Sequence, residues 1–417
     1  MLGRFVKVFF SMSLVVMKFG GTSVADLNCM RNAARRVKAE IDAGNRAVVA
    51  VSAMAGVTNK LIGYVSELSD LHGGCEADSI ISSGEQISSG LLALALHEID
   101  VPARSWLAWQ VPIETDGAHG KARIKNIDPS NLLTCLDGGE VPIVAGFQGI
   151  DPRGRLTTLG RGGSDTSAVA LAAALKADQG DIYTDVDGVY TSDPRIVTRA
   201  QKLEKVTYEE MLEMASLGAR VLQTRSVELA MNQAVRLQVR SSFEDSAGTF
   251  VVDEDEIVEQ QVVSGITYSR DEAKITLVGV HDRPGAAAAV FGPLANANIN
   301  VDMIVQSTAS DGNSTDITFT VLKTDFEGAL AVIKAFGDDL TFDDILTDQD
   351  VVKVSVIGVG MRSYAGVAQK MFETLAEKGI NIQVISTSEI KISVLIAEEY
   401  TELALRALHA AYQLDAP

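Results

Sequence analysis

Cysteine is scarce in this chain: its 417 residues contain three, Cys29, Cys75 and Cys135. An odd number at wide spacings makes neither a disulfide framework nor a zinc-ligand pattern, so a reducing compartment is expected, with these side chains as small apolar filler. Basic residues are also short. The 36 Lys and Arg stand against 55 Asp and Glu, a formal charge of −19. A surface of that sign repels phosphate backbones and anionic lipid heads, which excludes nucleic acid and membranes as expected partners. A small anion can bind only where Lys, Arg and backbone N–H groups gather locally against the field. Long apolar runs are missing too, so no bilayer span is expected. Arg4 and Lys7 precede an apolar stretch, superficially like a signal peptide, but no small-residue cleavage site follows. The natural start is left open between Met1 and Met12, and the expected location is cytoplasmic.

What is present is 47% hydrophobic and 22% charged residues, enough for two or three domains with a sizeable core. Up to about residue 240, short β-branched runs at 14–19, 47–51, 141–145, 181–184 and 235–239 alternate with helical stretches at 28–43, 84–98, 165–175 and 208–214. That alternation predicts an α/β fold with a mostly parallel sheet, and strands apolar throughout imply helices on both faces. The acidic segment 253–261, DEDEIVEQQ, reads as a domain boundary.

Beyond it the chain repeats itself. ITLVGV at 275–280 matches VSVIGV at 354–359, and Gly285, Phe291, Leu294, Ile299 and Asn300 match Gly366, Phe372, Leu375, Ile380 and Asn381. The offset changes from 79 to 81 across one loop, a two-residue insertion. Each copy reads as the start of a βαββαβ sandwich. The second copy stops after its last helix, so 262–267, ahead of the first copy, is expected to supply its closing strand.

Three motifs carry chemistry. In Lys18-Phe19-Gly20-Gly21-Thr22-Ser23 the glycine pair lets backbone N–H groups approach a phosphate and Lys18 adds a point charge. The lysine precedes the glycines, unlike a Walker A loop, and a glycine turn beside a surface lysine would read the same way. Leu159-Gly160-Arg161-Gly162-Gly163-Ser164-Asp165 opens a small-residue helix: the glycines clear space, Arg161 can grip a carboxylate bidentately, and Ser164 and Asp165 suit a capped helix start. Tyr183-Thr184-Asp185-Val186-Asp187-Gly188, running on to Asp193-Pro194-Arg195, ends a strand in acidic residues and a polar loop, which suits a nucleoside at the carboxyl edge of a parallel sheet. Ordinary turn chemistry accounts for Asp187. Smaller pieces are Ser52 with Thr58, and Ser83-Gly84-Glu85 at a helix start.

Taken in order, these five segments and the C-terminal repeat resemble the amino acid kinase family, specifically its aspartate kinases with paired ACT domains. The resemblance covers essentially everything from Leu14 onward. It implies an N-terminal αβα sandwich over 12–250, then two ferredoxin-like ACT domains over 262–345 and 346–417. It implies transfer of the γ-phosphoryl group of ATP to the β-carboxylate of aspartate, the first step toward lysine, threonine and methionine. Lys18, with Gly20 and Gly21, would neutralise the moving phosphoryl group, and Asp165 would hold Lys18. Glu85 would bind the amino group of aspartate and Arg161 its α-carboxylate, with Ser52, Thr58, Gly162 and Ser164 lining that pocket. Thr184, Asp185, Tyr190, Asp193 and Arg195 would hold ATP, with Mg²⁺ bridging its phosphates and no metal site built of protein ligands alone. Many members carry a lysine where this chain has Arg220, in Gly218-Ala219-Arg220, and arginine can still reach phosphate.

The same resemblance assigns an amino-acid effector, lysine, threonine or both, to Asp282, Gly285, Ala286, Asn300, Val301, Asp302 and Gln306 of the first copy and Asn381 and Ile382 of the second. A homo-oligomer through the repeats is implied. No methionine lies between Met231 and Met303, so a single polypeptide is expected rather than a separately started regulatory half. Two other readings stand beside this one: a relative acting on acetylglutamate, carbamate or a nucleotide, and a catalytically dead amino-acid sensor. The repeat and Ser83-Gly84-Glu85 speak against the first, and intact Lys18, Glu85, Arg161 and Asp185 against the second.

Overall fold

The computed structural model describes residues 12–68, 74–217, 221–257, 261–308, 314–335 and 341–415; the leader containing Arg4 and Lys7 lies outside them. The chain forms two compact units. The first comprises Met1–Val189, Lys202–Ala215 and Arg220–Val258, the second Tyr190–Gln201, Ser216–Ala219 and Glu259–Pro417.

The first unit holds strands β1 (Leu14–Phe19), β2 (Arg46–Val51), β3 (Ala103–Trp106), β4 (Ile113–Thr115), β5 (Ile124–Ile127), β6 (Val141–Ala145), β7 (Gln148–Ile150), β8 (Leu156–Thr158), β9 (Gln179–Thr184), β10 (Lys205–Thr207), β11 (Leu237–Ser241) and β12 (Thr249–Val252). Its helices are α1 (Leu27–Asp42), α2 (Val57–Leu68), α3 (Cys75–Ile81), α4 (Ser83–His97), α5 (Ser130–Asp137), α6 (Gly163–Leu175), α7 (Tyr208–Ser216) and α8 (Thr224–Asn232). Eight strands form one sheet in the order β10-β12-β11-β9-β1-β2-β6-β3. Only β11 and β12 pair antiparallel within it. A smaller sheet, β5-β4-β7-β8, stands apart.

Strand alternation decides where the site falls. Side chains of successive residues point to opposite faces, and Val15, Met17 and Phe19 of β1 pack into one core with Met30 and Val37 of α1 and Leu92 and Leu96 of α4. Val16 and Lys18 therefore face the other side, where α6 crosses β1, β2 and β9. That helix is buried almost all round and built of small residues, which lets it lie close to the sheet and puts its N-terminus beside the end of β1.

In the second unit, β14 (Glu272–His281), α9 (Ala286–Asn296), β15 (Val301–Thr308), β16 (Ser314–Leu322), α10 (Phe326–Lys334) and β17 (Asp344–Asp348) make one βαββαβ module with sheet order β15-β16-β14-β17. The second copy, β18 (Val351–Ile357), α11 (Val367–Glu377), β19 (Val384–Thr387), β20 (Lys391–Ala397) and α12 (Thr401–Ala411), lacks a last strand of its own. Strand β13 (Gly265–Ser269), from before the first copy, supplies it by pairing antiparallel with β18. The second copy's core also takes in Ile196 and Val197. Thr191 of that same segment hydrogen-bonds Nε2 of buried His409 at 2.9 Å.

Two lysines brace the copies against each other. Lys353 of β18 reaches Glu272 at 2.6 Å and Asp302 at 2.7 Å, both in the first copy. Its repeat mate Lys274 donates to Gln383, the repeat mate of Asp302. Burial alone would lower the pKa of Lys353, but the Glu272 and Asp302 carboxylates outweigh it and the net shift is upward. A buried cation so matched becomes a liability when one partner is removed. We expect Lys353→Met to cost the second unit ~3 kcal/mol, because Glu272 keeps an uncompensated buried charge, and Lys353→Met/Glu272→Met to recover most of it. Urea unfolding followed by circular dichroism measures both; equal stability of wild type and single variant would refute the assignment.

Candidate active site

The carboxyl ends of β1, β2, β6 and β9 lie at one edge of the large sheet, and the turns leaving them build the site. After β1 the chain turns at Gly20 and Gly21. The Gly20 N–H bonds the Tyr183 carbonyl at the end of β9, and a side chain at Gly21 would press on the Ala53 carbonyl at 3.0 Å. After β2, Ser52 to Thr58 lead into α2. Helix α4 comes close to that turn only because Gly84 has no side chain; a Cβ there would stand 2.7 Å from the Ala53 methyl. The next residue, Glu85, is thereby driven into the interior.

These turns and the start of α6 enclose a cavity of roughly 760 Å³. Lys18, Gly21, Ser52, Thr58, Glu85, Arg161, Gly162, Ser164 and Asp165 all line it. Lys18 is 8% exposed and its ammonium lies 2.5 Å from Asp165. Arg161 is exposed and, among the described residues, has no hydrogen bond or ion pair, so its fork of donors is open to an incoming carboxylate. Gly160 and Gly162 both hold positive φ, and any side chain at Gly162 would run into Gln223.

Glu85 is 3% exposed; one oxygen accepts the Ala53 N–H at 3.0 Å while the other, also buried, has no partner. Desolvation pushes its pKa up to about 7. A carboxylate in that state answers an ammonium group: pairing with a cation would supply the missing partner and return the group to its ionised form.

Gly20 sits beside the cavity under the Lys18 ammonium. Thr184 and exposed Asp185 lie at the end of β9, the neighbour of β1, with the Thr184 hydroxyl donating to Asp185 at 3.1 Å; they do not line the cavity. Tyr190, Asp193 and Arg195 belong to the second unit. There Asp193 accepts from Arg195 and from the Tyr268 hydroxyl, and the Arg195 guanidinium beside it holds its carboxyl below the usual range. Arg220 lies outside the described residues.

In the two repeat copies Asp282, Asn300, Gln306 and Asn381 are exposed and Val301 and Ile382 half-buried. Gly285 precedes α9 at φ +94°, and Ala286 is the buried first residue of that helix. Asp302 is engaged by Lys353.

Sequence reading missed Asp78, Phe147 and Gln223, which also line the cavity. No local pattern marked them: Asp78 is one of two acids in a short helix, Phe147 follows a strand at φ +68°, and Gln223 sits just before α8.

The amino acid kinase family model matches residues 13–241, and ACT domain models match 274–340 and 354–412. The chain belongs to the amino acid kinase family. An aspartate kinase, Ask_LysC, of Stutzerimonas stutzeri is 54% identical over 97% of this chain and 98% of its own. The aspartokinase of Pseudomonas aeruginosa is 53% identical over 97% and 99%. Escherichia coli aspartokinase III in complex with aspartate and ADP superposes with a TM-score of 0.80 at 28% identity, covering 95% of this chain and 99% of that one. The same enzyme with lysine and aspartate gives 0.75. Within the family, the chain falls among the aspartate kinases.

The raised pKa of Glu85 fixes a pH dependence. Because its folded value of about 7 exceeds the ordinary carboxyl value of 4.5, its ionisation subtracts from the free enzyme's stability as pH climbs between those values. Pairing with an ammonium group needs the ionised form, so the KM for aspartate should rise about tenfold per pH unit below about 7 and level off above it. Glu85→Gln should raise the KM and flatten that profile. A KM independent of pH from 5.5 to 8 in the wild type would contradict the role of Glu85.

Proposed function

We propose that this chain transfers the γ-phosphoryl group of ATP to the β-carboxylate of L-aspartate, giving 4-phosphoaspartate and ADP, with feedback inhibition through its ACT domains. An oxygen of the β-carboxylate attacks the γ-phosphorus, and the bond from that phosphorus to the β,γ-bridging oxygen breaks as ADP leaves. The observation that carries this reading is the cavity that joins a buried, carboxylate-braced ammonium to an unpartnered Arg161 and a half-satisfied Glu85.

The acceptor has one cationic and two anionic groups, and the pocket offers their complements. Glu85 takes the α-ammonium and Arg161 the α-carboxylate, while Ser52, Thr58, Gly162 and Ser164 shape the remaining wall. The β-carboxylate is then left facing Lys18. Phosphoryl transfer asks for positioning and charge neutralisation more than covalent help. Lys18 and the amides of Gly20 and Gly21 supply that charge, and Asp165 fixes where the ammonium points.

Thr184, Asp185, Tyr190, Asp193, Arg195 and Arg220 are assigned to ATP. Among the described residues no group of three or more His, Cys, Asp or Glu side chains is placed to hold a metal. Mg²⁺ is assigned as the nucleotide's partner, where it would neutralise phosphate charge.

Lysine, threonine or both are assigned to the ACT pair, at Asp282, Gly285, Ala286, Asn300, Val301, Asp302, Gln306, Asn381 and Ile382. An inhibitor of this kind and the substrate must weaken each other's binding reciprocally. A homo-oligomer through the repeats belongs to the same reading. No helix among the described residues is long and apolar enough to cross a membrane, and three free cysteines suit a cytoplasmic location.

Purified protein given ATP, Mg²⁺, aspartate and hydroxylamine should form aspartyl hydroxamate, and acetylglutamate or carbamate should not replace aspartate. No hydroxamate from any preparation would leave an amino-acid sensor as the reading. Lys18→Ala should lower kcat by about 10² to 10³ with the KM for aspartate changed only a few-fold, whereas Glu85→Ala should act mainly on that KM. Lysine and threonine, added separately and together, identify the effector.

A further inference from the structure

Asp78 has no place in the assignments above, yet it lines the same cavity and is wholly buried. A carboxylate in that position is costly unless its oxygens are fully engaged, and it would repel a dicarboxylic acceptor if left bare. Its oxygens are engaged from one direction in the fold. One accepts the Thr158 hydroxyl at 2.6 Å, the other the Thr158 N–H at 3.0 Å and His119 Nδ1 at 2.8 Å, and both take the Gly120 N–H at 3.1 Å.

All these donors frame the loop that carries Arg161. Thr158 ends β8, three residues before Arg161. The 117–122 segment lies against Gly160, whose Cβ position is 3.1 Å from the Gly120 carbonyl. Ala122 donates its N–H to the Thr158 carbonyl at 2.9 Å. From the far side the Arg225 guanidinium takes the carbonyls of Leu159 at 2.6 Å and Ala122 at 2.8 Å. The backbone is thus pinned at 158 and 159, and Arg161 stands on a lever only two residues long with glycine on either side.

We propose that Asp78 is a positioning residue for the acceptor: by clamping Thr158 and Gly120 it sets the place of the Arg161 guanidinium and so the enzyme's preference for a substrate bearing an α-carboxylate. This rests on the acceptor role given to Arg161. A bidentate clamp tolerates little displacement, and a shift of about 1 Å can cost about 10²-fold. Asp78→Asn puts an amide N–H against donors that all need an acceptor, so the clamp must open.

The test uses the full-length enzyme with steady-state kinetics in aspartate and in ATP. Asp78→Asn should raise the KM for aspartate at least tenfold, lower kcat less, and leave the KM for ATP within about twofold. Thr158→Val, which removes one hydroxyl and keeps the backbone N–H, should move the KM for aspartate in the same direction by a smaller factor. In an Arg161→Ala background Asp78→Asn should add little, since the lever then carries nothing. Fully additive losses, an equal rise in both KM values, or an unchanged KM for aspartate in Thr158→Val would each overturn the proposal. If Asp78→Asn does not fold, Thr158→Val alone and combined with Arg161→Ala decides. Failure of the acceptor reading itself would show differently, as Arg161→Ala leaving the KM for aspartate unchanged.

Discussion

The catalytic unit is organised around one buried contact, the ammonium of Lys18 against the carboxylate of Asp165. Both groups are taken out of water, and such a pair is tolerable only where its geometry is good and further polar partners are near. β1 brings the cation, because alternation turns Lys18 away from the core that holds Met17 and Phe19. α6 brings the anion, because its N-terminal turn abuts the end of β1. Neither group neutralises the cavity alone; together they leave a site that is charged yet balanced, on a protein whose net charge would otherwise turn anions away.

Around that pair, the absence of side chains does as much as their presence. Gly84 lets α4 approach the β2 turn and so buries Glu85. Gly162 clears Gln223, Gly163 clears Phe147, and Gly146 clears Ser164. Each is a place where the backbone must pass closer than a methyl group allows, and each sets a neighbouring functional side chain within reach of the cavity.

The large, mostly parallel sheet was legible because β1, β2 and β6 are runs of apolar residues bounded by turns, while β9 and β11 set apolar or aromatic residues among Asp181, Gln238 and Arg240. Lys18, Glu85, Arg161 and Asp165, which line one cavity, stood out because each lies within two residues of a glycine at the end of such an element. The small sheet was not: β4, β7 and β8 have three residues each and β5 four, too short for any period to show. Asp78 escaped for a different reason: its meaning comes from partners 42 and 80 residues away. The segment around Asp193 read as part of the nucleotide loop, whereas its apolar neighbours Ile196 and Val197 pack in the second unit; two isolated branched residues in a polar loop gave no sign of where they would be buried.

The borrowed strand β13 has a consequence for how the regulatory half comes into being. The first ACT copy is, in chain order, an insertion within the second, since β13 precedes it and β18, the partner of β13, follows it. During synthesis the first copy can complete its own sheet while β13 still waits with its edge unpaired. Only when residues 351–357 emerge does that strand find its register. The later copy's sheet therefore spans the whole length of the earlier one in the chain, closing a loop of chain around it.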